Sequence, residues 1–233
     1  MSEEAPRRTV RRTIPLNQAP RALVRPAPQA AQAAQAAPAA PAFSVEDALD
    51  VITESEGFRD TPYRDPYGYW TVGYGTKIGD GSDEALAQSP YANRRSISQA
   101  HGASNENEAR NIARNMARGT AQEKLGILRN PENLGDSFDG LPRDLQILIV
   151  DSAYRGGITG SPNTMRHIRE GNLRTASAEF LNNDEYRDAL QPDADAPGVA
   201  IRMQRLSEAL GRLGRERDRN SSFTDAVENR LTQ

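Results

Sequence analysis

Val45, Leu49 and Ile52 recur at the i, i+4, i+7 spacing of one helical face, and the next position on that face is Glu56, a carboxylate where the pattern calls for a hydrophobic residue. Ser44 before this stripe is a natural N-cap, with Asp47 in the N3 place of a capping box. Gly57 ends the helix, and Pro62 opposes its return because the residue before a proline is pushed out of the α region. The chain from 58 to 76 is then aromatic, β-branched and glycine-punctuated. It predicts a short hairpin over 60–76, with residues 65–68 as the turn.

Further along, Lys77 to Ala103 is rich in Gly, Ser, Asp, Asn and Gln and reads mainly as loop, with Tyr91, Arg94, Arg95 and His101 as candidates to line a groove and His101 read as solvated. Asn105 to Glu108 forms a second capping box, behind which Ala109, Ile112, Ala113, Met116 and Ala117 make one helical face. Gly119 is expected to interrupt that helix, and Ala121 to Leu128 to resume it. Pro142 fits an N1 position and opens the most apolar run, Leu145 to Val150, read as a buried helix that continues through Tyr154 to Gly156 and Gly157. Shorter helices follow, over 164–171 with Met165 and Ile168 inward, and around Ala176, Phe180 and Leu181. Tyr186 anchors the next region, and Pro197 leads into a helix over 203–210. Residues 211–233 alternate Arg with Glu and Asp before Phe223, Ala226, Val227 and Leu231, which predicts either a helix resting on the larger lobe or a second contact site.

The two ends differ from the middle. Residues 1–42 contain seven prolines, repeated Ala-Gln-Ala-Ala and only five sizeable aliphatics, too few for a core, so this segment is a linker or a docking arm. It carries six arginines against Glu3 and Glu4, +4, so the remaining chain holds −7 of the formal net −3. A basic arm can engage nucleic acid, but without aromatic interleaving or a defined motif that partner is not favoured.

With no cysteine and only two histidines in 233 residues, disulfides and thiolate sites are excluded and metal chemistry has little to draw on; no metal or cofactor is expected. No apolar run approaches the length of a bilayer span. Met1 to Glu4 is acidic and no apolar h-region follows, so no cleavable export signal is expected.

The candidate chemistry lies in the helix end and hairpin. A helix that delivers Glu56 and a hairpin that delivers Asp65 and Thr71 set two carboxyls and a hydroxyl around one cleft. Such a pair suits glycosidic bond cleavage: one carboxyl stays protonated to donate to the leaving oxygen, and the other handles water or developing positive charge. A glutamate at a helix end and an aspartate before a turn are also common without catalysis, and spacing alone does not separate the two readings.

Glu56-Gly57, Tyr63-x-Asp65 and the run Gly68, Thr71, Gly73, Gly75 resemble the active-site signature of the phage T4-type lysozymes, muramidases that cut peptidoglycan. The resemblance covers roughly 43–210 and is strongest at 56–75. It implies an α+β, mostly helical, two-lobed domain: a small hairpin lobe, a larger helical lobe and a long helix from near Asn105 joining them. It implies Glu56 as general acid, Asp65 as catalytic aspartate, Thr71 as the residue positioning water, and Tyr63, Arg155 and Arg202 as substrate-side residues. Two departures stand out. Thr76 replaces a histidine, and Arg155-Gly156-Gly157 replaces an Asn-x-Gly sequence; Arg155 is equally explained as charge compensation at a helix C-terminus.

The implied domains are an arm at 1–42, a catalytic domain at 43–210 and a charged extension at 211–233. The implied activity is inverting hydrolysis of the β-1,4 bond between N-acetylmuramic acid and N-acetylglucosamine, by an endolysin or a virion-associated enzyme held in the virion or in the host cytoplasm before release to the periplasm. Residues 1–42 would then dock on phage structural proteins. The competing class is a structural virion or assembly protein whose lysozyme-like domain binds wall without cutting it.

Overall fold

The computed structural model describes residues 43–191 and 197–231. Helix α1 (Val45–Glu56) starts at the Ser44 capping box, with Ser44 N–H donating to Asp47 Oδ2 at 2.9 Å, and ends at Gly57, whose φ of +67° suits a residue without Cβ. Leu49 and Ile52 are fully buried. The stripe read from the sequence is therefore the packed face, and Glu56 lies at its end.

Three antiparallel strands follow in the order β1 (Arg59–Arg64), β2 (Trp70–Gly73) and β3 (Thr76–Lys77). Tyr63 pairs with Thr71 and Arg64 with Trp70, while the register slips between Arg59 and Tyr63, where Pro62 has no N–H to give the ladder. Gly68 N–H donates to Asp65 carbonyl at 2.9 Å and closes the turn. At the far end of β2, Gly73 has φ +68° and backs onto α4 (Glu106–Leu128): a Cβ there would lie 2.9 Å from the Ala113 Cβ. A glycine facing an alanine lets the sheet sit directly on the long helix.

The segment 77–103, expected as loop, instead contains α2 (Asp83–Gln88), a 3-10 turn at Ala92–Arg94 and α3 (Ile97–His101). Their starts are set by caps: Ser82 accepts from Ala85 N–H, and Ser96 forms a full capping box with Gln99. Tyr91 is buried, not groove-lining, and its hydroxyl lies 2.8 Å from His101 Nε2 and 3.2 Å from Met116 Sδ. His101 is thus exposed but partnered. Arg64 and Arg94 stack on the buried Trp70 ring at 4.5 and 4.9 Å, and Trp70 Nε1 donates to Asp83 at 2.7 Å, which ties α2 to the hairpin.

Helix α4 is also unbroken where an interruption at Gly119 was expected. Ala109, Ala113, Ala117 and Ala121 form its buried stripe, whereas Gly119 is exposed with nothing near its Cβ position. Packing along the alanine stripe outweighs the roughly 1 kcal/mol that a helical glycine costs relative to alanine. At its start, Asn105 caps the Glu108 N–H as read, but Glu108 returns its bond to Ser104 N–H and not to Asn105.

The second lobe comprises α5 (Asp136–Asp139), α6 (Arg143–Tyr154), α7 (Pro162–Arg169), α8 (Leu173–Phe180), α9 (Asp184–Ala189) and α10 (Pro197–Leu231). Pro142 is the N-cap of α6, one residue earlier than its expected N1 place. α6 packs against α1, α4 and α10. α8 and α10 meet through a reciprocal pair, Ser177 Oγ donating to Ser207 carbonyl at 2.7 Å and Ser207 Oγ to Ser177 carbonyl at 2.9 Å. α10 runs without a break through residues 210 and 211, and Arg174 meets Asp218 on it at 3.3 Å. The architecture is α+β and mostly helical: the sheet and α3 pack on α4, α6 packs against α1, α4 and α10, α8 and α9 pack on α10, and α7 lies between α5 and α8. Among the described residues no helix is long and apolar enough to cross a membrane. The arm expected at 1–42 lies outside the described residues.

Candidate functional site

Because α1 ends at Gly57, Glu56 is delivered with its side chain 18% exposed, against the turn between β2 and β3: a Cβ on Gly75 would lie 3.3 Å from Glu56 Oε2. Gly75 has φ +77° and leaves that side of the carboxyl open. On the other oxygen, Arg202 from α10 donates to Oε1 at 2.6 Å. The expected general acid and the expected substrate-side arginine are therefore direct partners, each about four-fifths buried (side chains 18% and 19% exposed).

Asp65 is fixed by its turn. Its Oδ1 accepts from the Tyr67 N–H at 3.0 Å and the Tyr69 N–H at 2.8 Å, while its own N–H donates to Tyr69 carbonyl at 2.9 Å. Both side-chain bonds fall on Oδ1. Thr71, 4% exposed, lies in β2 opposite Tyr63, with a long 3.5 Å contact from its hydroxyl to Tyr63 carbonyl. Tyr63 itself is half-buried, with the Arg59 guanidinium 4.2 Å from its ring centre.

A second link joins the hairpin to the helical lobe. The Tyr67 phenol donates to Glu185 Oε1 on α9 at 3.2 Å, and Arg155, the C-cap of α6, donates to the same oxygen at 2.8 Å. Burial and the neighbouring Glu185 carboxylate push the Tyr67 phenol above its usual pKa. Arg155 is thus held by Glu185, 14% exposed, at the end of a helix whose dipole it also complements.

Beneath Glu56, Tyr154 donates from its phenol to Tyr74 carbonyl at 2.6 Å; burial pushes that phenol up to about 12, with the Thr76 hydroxyl opposing. Thr76, in the place of the expected histidine, opens β3 opposite Val72 with its hydroxyl buried beside Tyr154. Asp151, one turn before Tyr154, is 5% exposed and its Oδ1 is buried without a hydrogen-bond partner among the described residues. Burial raises its pKa, with Arg202 opposing and Glu56 adding to the rise.

The sequence reading missed Asp151, Glu185 and Tyr67. For Asp151 a signal was present: it is a carboxylate at the end of the most apolar run of the chain, the same anomaly that marked Glu56. Glu185 and Tyr67 carry no such mark, since their pairing spans 118 residues. A hollow of about 530 Å³ near the α4 start, lined by Phe58, Asp60, Ser98 and Arg110, contains none of the six expected site residues. Among the described residues, no group of three or more His, Cys, Asp or Glu is arranged to hold a metal ion.

Residues 53–122 match the phage lysozyme family. The matched stretch starts within α1 and ends within α4, so it includes Glu56, Tyr63, Asp65 and Thr71 and leaves Arg155 and Arg202 outside. No curated protein is a significant match to the chain. The match thus falls on the segment that carries the helix end and the hairpin.

Proposed function

We propose that the chain is a muramidase that hydrolyses the β-1,4 bond between N-acetylmuramic acid and N-acetylglucosamine in bacterial peptidoglycan. The observation that carries this reading is the coincidence of the phage lysozyme match with Glu56 and an Asp65 carboxylate held by two backbone N–H groups. Glu56 donates its proton to the glycosidic oxygen as the C1–O bond breaks. A water held by Asp65 and Thr71 attacks C1, and Asp65 takes the water's proton. Arg202 stabilises the carboxylate that Glu56 becomes. Tyr63 and Arg155 flank the sugar chain. Attack from the face opposite the leaving group inverts the anomeric centre.

The arm at 1–42 then serves to place the enzyme, docking it on a phage structural protein so that wall is cut during genome entry; a free endolysin released through a membrane pore is the other placement. A second reading, a wall-binding virion protein that does not cut, draws support from the Arg202–Glu56 contact, which already occupies one oxygen of the acid. Product analysis separates them. Digestion of purified peptidoglycan by the full chain should release muropeptides ending in reducing N-acetylmuramic acid, with the α-anomer in excess at early times by NMR. Bound but intact wall would establish the second reading, and an initial excess of β-anomer would contradict inversion.

A further inference from the structure

Tyr67, Glu185 and Arg155 form a bridge from the turn that carries Asp65 to the end of α6, and the proposed reaction gives Glu185 no task. Glu185 Oε1 accepts both from the Tyr67 phenol at 3.2 Å and from Arg155 at 2.8 Å. The two ends of the ion pair differ in how firmly they are held. Arg155 caps a helix whose last residues, Ala153 and Tyr154, are buried, and Tyr154 is tied to the hairpin through the Tyr74 carbonyl. Glu185 sits on α9, a helix of six residues, none of them buried. The main packing of α9 is on α10, where Gln204 donates to the Tyr186 phenol oxygen at 2.8 Å. The Glu185 side chain is 35% exposed, against 14% for Arg155. A fixed guanidinium thus meets a carboxylate on a weakly packed element.

The pairing also leaves a stronger one unused. Glu185 takes a single N–H of Arg155, on the oxygen it shares with Tyr67, whereas a guanidinium fork can meet both oxygens of one carboxylate, and that geometry is the stronger. Segments with few buried contacts open locally at low free-energy cost. A carboxylate arriving from outside can therefore take the place of Glu185. Its departure also frees the Tyr67 phenol, and with it the turn that positions Asp65. Neither Arg155 nor Glu185 lies within residues 53–122, so the family match assigns the pair no role. The wall polymer brings carboxylates of its own, on the lactyl group of N-acetylmuramic acid where that is bare and on the acidic stem peptide where it is substituted.

We propose that Arg155 is a subsite for a wall carboxylate and that Glu185 is its built-in competitor, occupying Arg155 until an anionic strand displaces it and unlatches Tyr67. The inference rests on the muramidase reading for the identity of the ligand. The exchange of one carboxylate for another on Arg155 is a property of the resting protein and needs no bond cleavage. Arg155 is then a specificity-determining residue, because a neutral glycan has nothing to exchange for Glu185. Glu185 is a positioning residue that acts through Arg155 and Tyr67.

NMR titration of the full chain tests it, following the Arg155 side-chain Nε–H and the Tyr67 and Tyr69 amides. The probes are N-acetylmuramic acid, the stem dipeptide N-acetyl-L-alanyl-D-glutamate and the diamide of that dipeptide. At least one of the two carboxylates should bind, and which of them does so places the ligand on the lactyl group or on the stem; the diamide should not bind. Glu185→Gln should bind the same carboxylate about tenfold more tightly than the wild type, because the competitor has lost its charge. Arg155→Gln should lose the binding. The gain in Glu185→Gln is a result that a merely structural role would not give, since loosening α9 would weaken a site it only supports. Saturating carboxylate should also speed hydrogen exchange at Tyr67 and Tyr69 in the wild type. Equal or weaker binding by Glu185→Gln, equal binding of the diamide, or no binding of either carboxylate to Glu185→Gln overturns the proposal. If Arg155→Gln does not fold, the comparison of dipeptide with diamide on the wild type and Glu185→Gln decides it alone. A chain that exchanges carboxylates but cuts no wall contradicts the muramidase reading only, and one that cuts wall without the exchange contradicts this inference only.

Discussion

Arg202 donates to Glu56 Oε1 at 2.6 Å across 146 residues of chain, so the last helix of the helical lobe closes directly on the carboxylate at the end of the first. The bond joins α1, which feeds the hairpin, to α10, which is anchored on α8 and α9. Glu56 is therefore held by Arg202 on one oxygen, while its other oxygen lies beside Gly75, where the absence of a Cβ leaves it room.

The other crossing, Tyr67 to Glu185 to Arg155, holds the turn that carries Asp65. Glu185→Gln keeps the shape but removes the charge from both hydrogen bonds, each of a kind worth about 1.5–3 kcal/mol with a charged partner. Because Tyr67 and Glu185 are partly solvated, the lower end applies. Amide hydrogen exchange at Tyr67 and Tyr69 should accelerate by about tenfold with α4 and α6 unchanged. Unchanged exchange at those two amides would show that the turn does not depend on this contact.

Two glycines should respond to alanine in opposite ways. At Gly73 the positive φ and the 2.9 Å approach to Ala113 mean that Gly73→Ala should destabilise by roughly 1–3 kcal/mol. At Gly119, in the exposed interior of α4 with open space around it, Gly119→Ala should stabilise by roughly 0.5–1 kcal/mol. Chemical denaturation of the two variants checks both signs.

Asp47 gives a pH dependence. The Arg143 side chain, joined by the Ser44 N–H, lowers its pKa from 3.8 to about 2, linking the starts of α1 and α6. Because the folded value is depressed, its contribution is present above the ordinary carboxylate pKa and is lost as pH falls from about 3.8 to about 2. Asp47→Asn should thus melt below the wild type at pH 7, and the gap should close as pH falls through that window. A gap of constant size would mean that the pair contributes through shape and not charge.

What the sequence made legible was local. The Ser44 cap, the 45, 49, 52 stripe, the odd carboxylate at 56 and the turn at 65–68 each follow from interactions within a few residues, and each stands where it was read. Residues 77–103 misled because α2 and α3 are too short to show a hydrophobic period; only Ser82 and Ser96 announce them. Gly119 misled for the converse reason, a local preference overridden by an alanine stripe packed along the whole helix. The partners of Glu56, Asp65 and Tyr67 divide in the same way. Asp65 is bonded within four residues and was legible as a turn former, whereas Arg202 and Glu185 reach their partners only through the packing of α6, α9 and α10.

Deletion of residues 1–42 should separate address from chemistry. A chain beginning at Phe43 keeps the Ser44 cap and all six proposed site residues, so its specific activity on isolated peptidoglycan should stay within a few-fold of the full chain. Its incorporation into phage particles, read by mass spectrometry of purified virions, should be lost. Packaging as efficient as that of the full chain would remove the docking role. A truncated chain that folds but cannot cut wall would make the arm part of the catalytic machinery.

The central claim is that Glu56 donates the proton that breaks the glycosidic bond, and Glu56→Gln tests it most directly. Glutamine matches the shape and can still meet Arg202, but it has no proton to give. Folding is checked by circular dichroism and melting temperature, and release of reducing ends from purified wall is then compared for the two proteins at equal concentration. The account predicts a folded variant whose hydrolysis is lower by a factor on the order of 10² to 10⁴, whereas near-normal release of reducing ends by folded Glu56→Gln would contradict it.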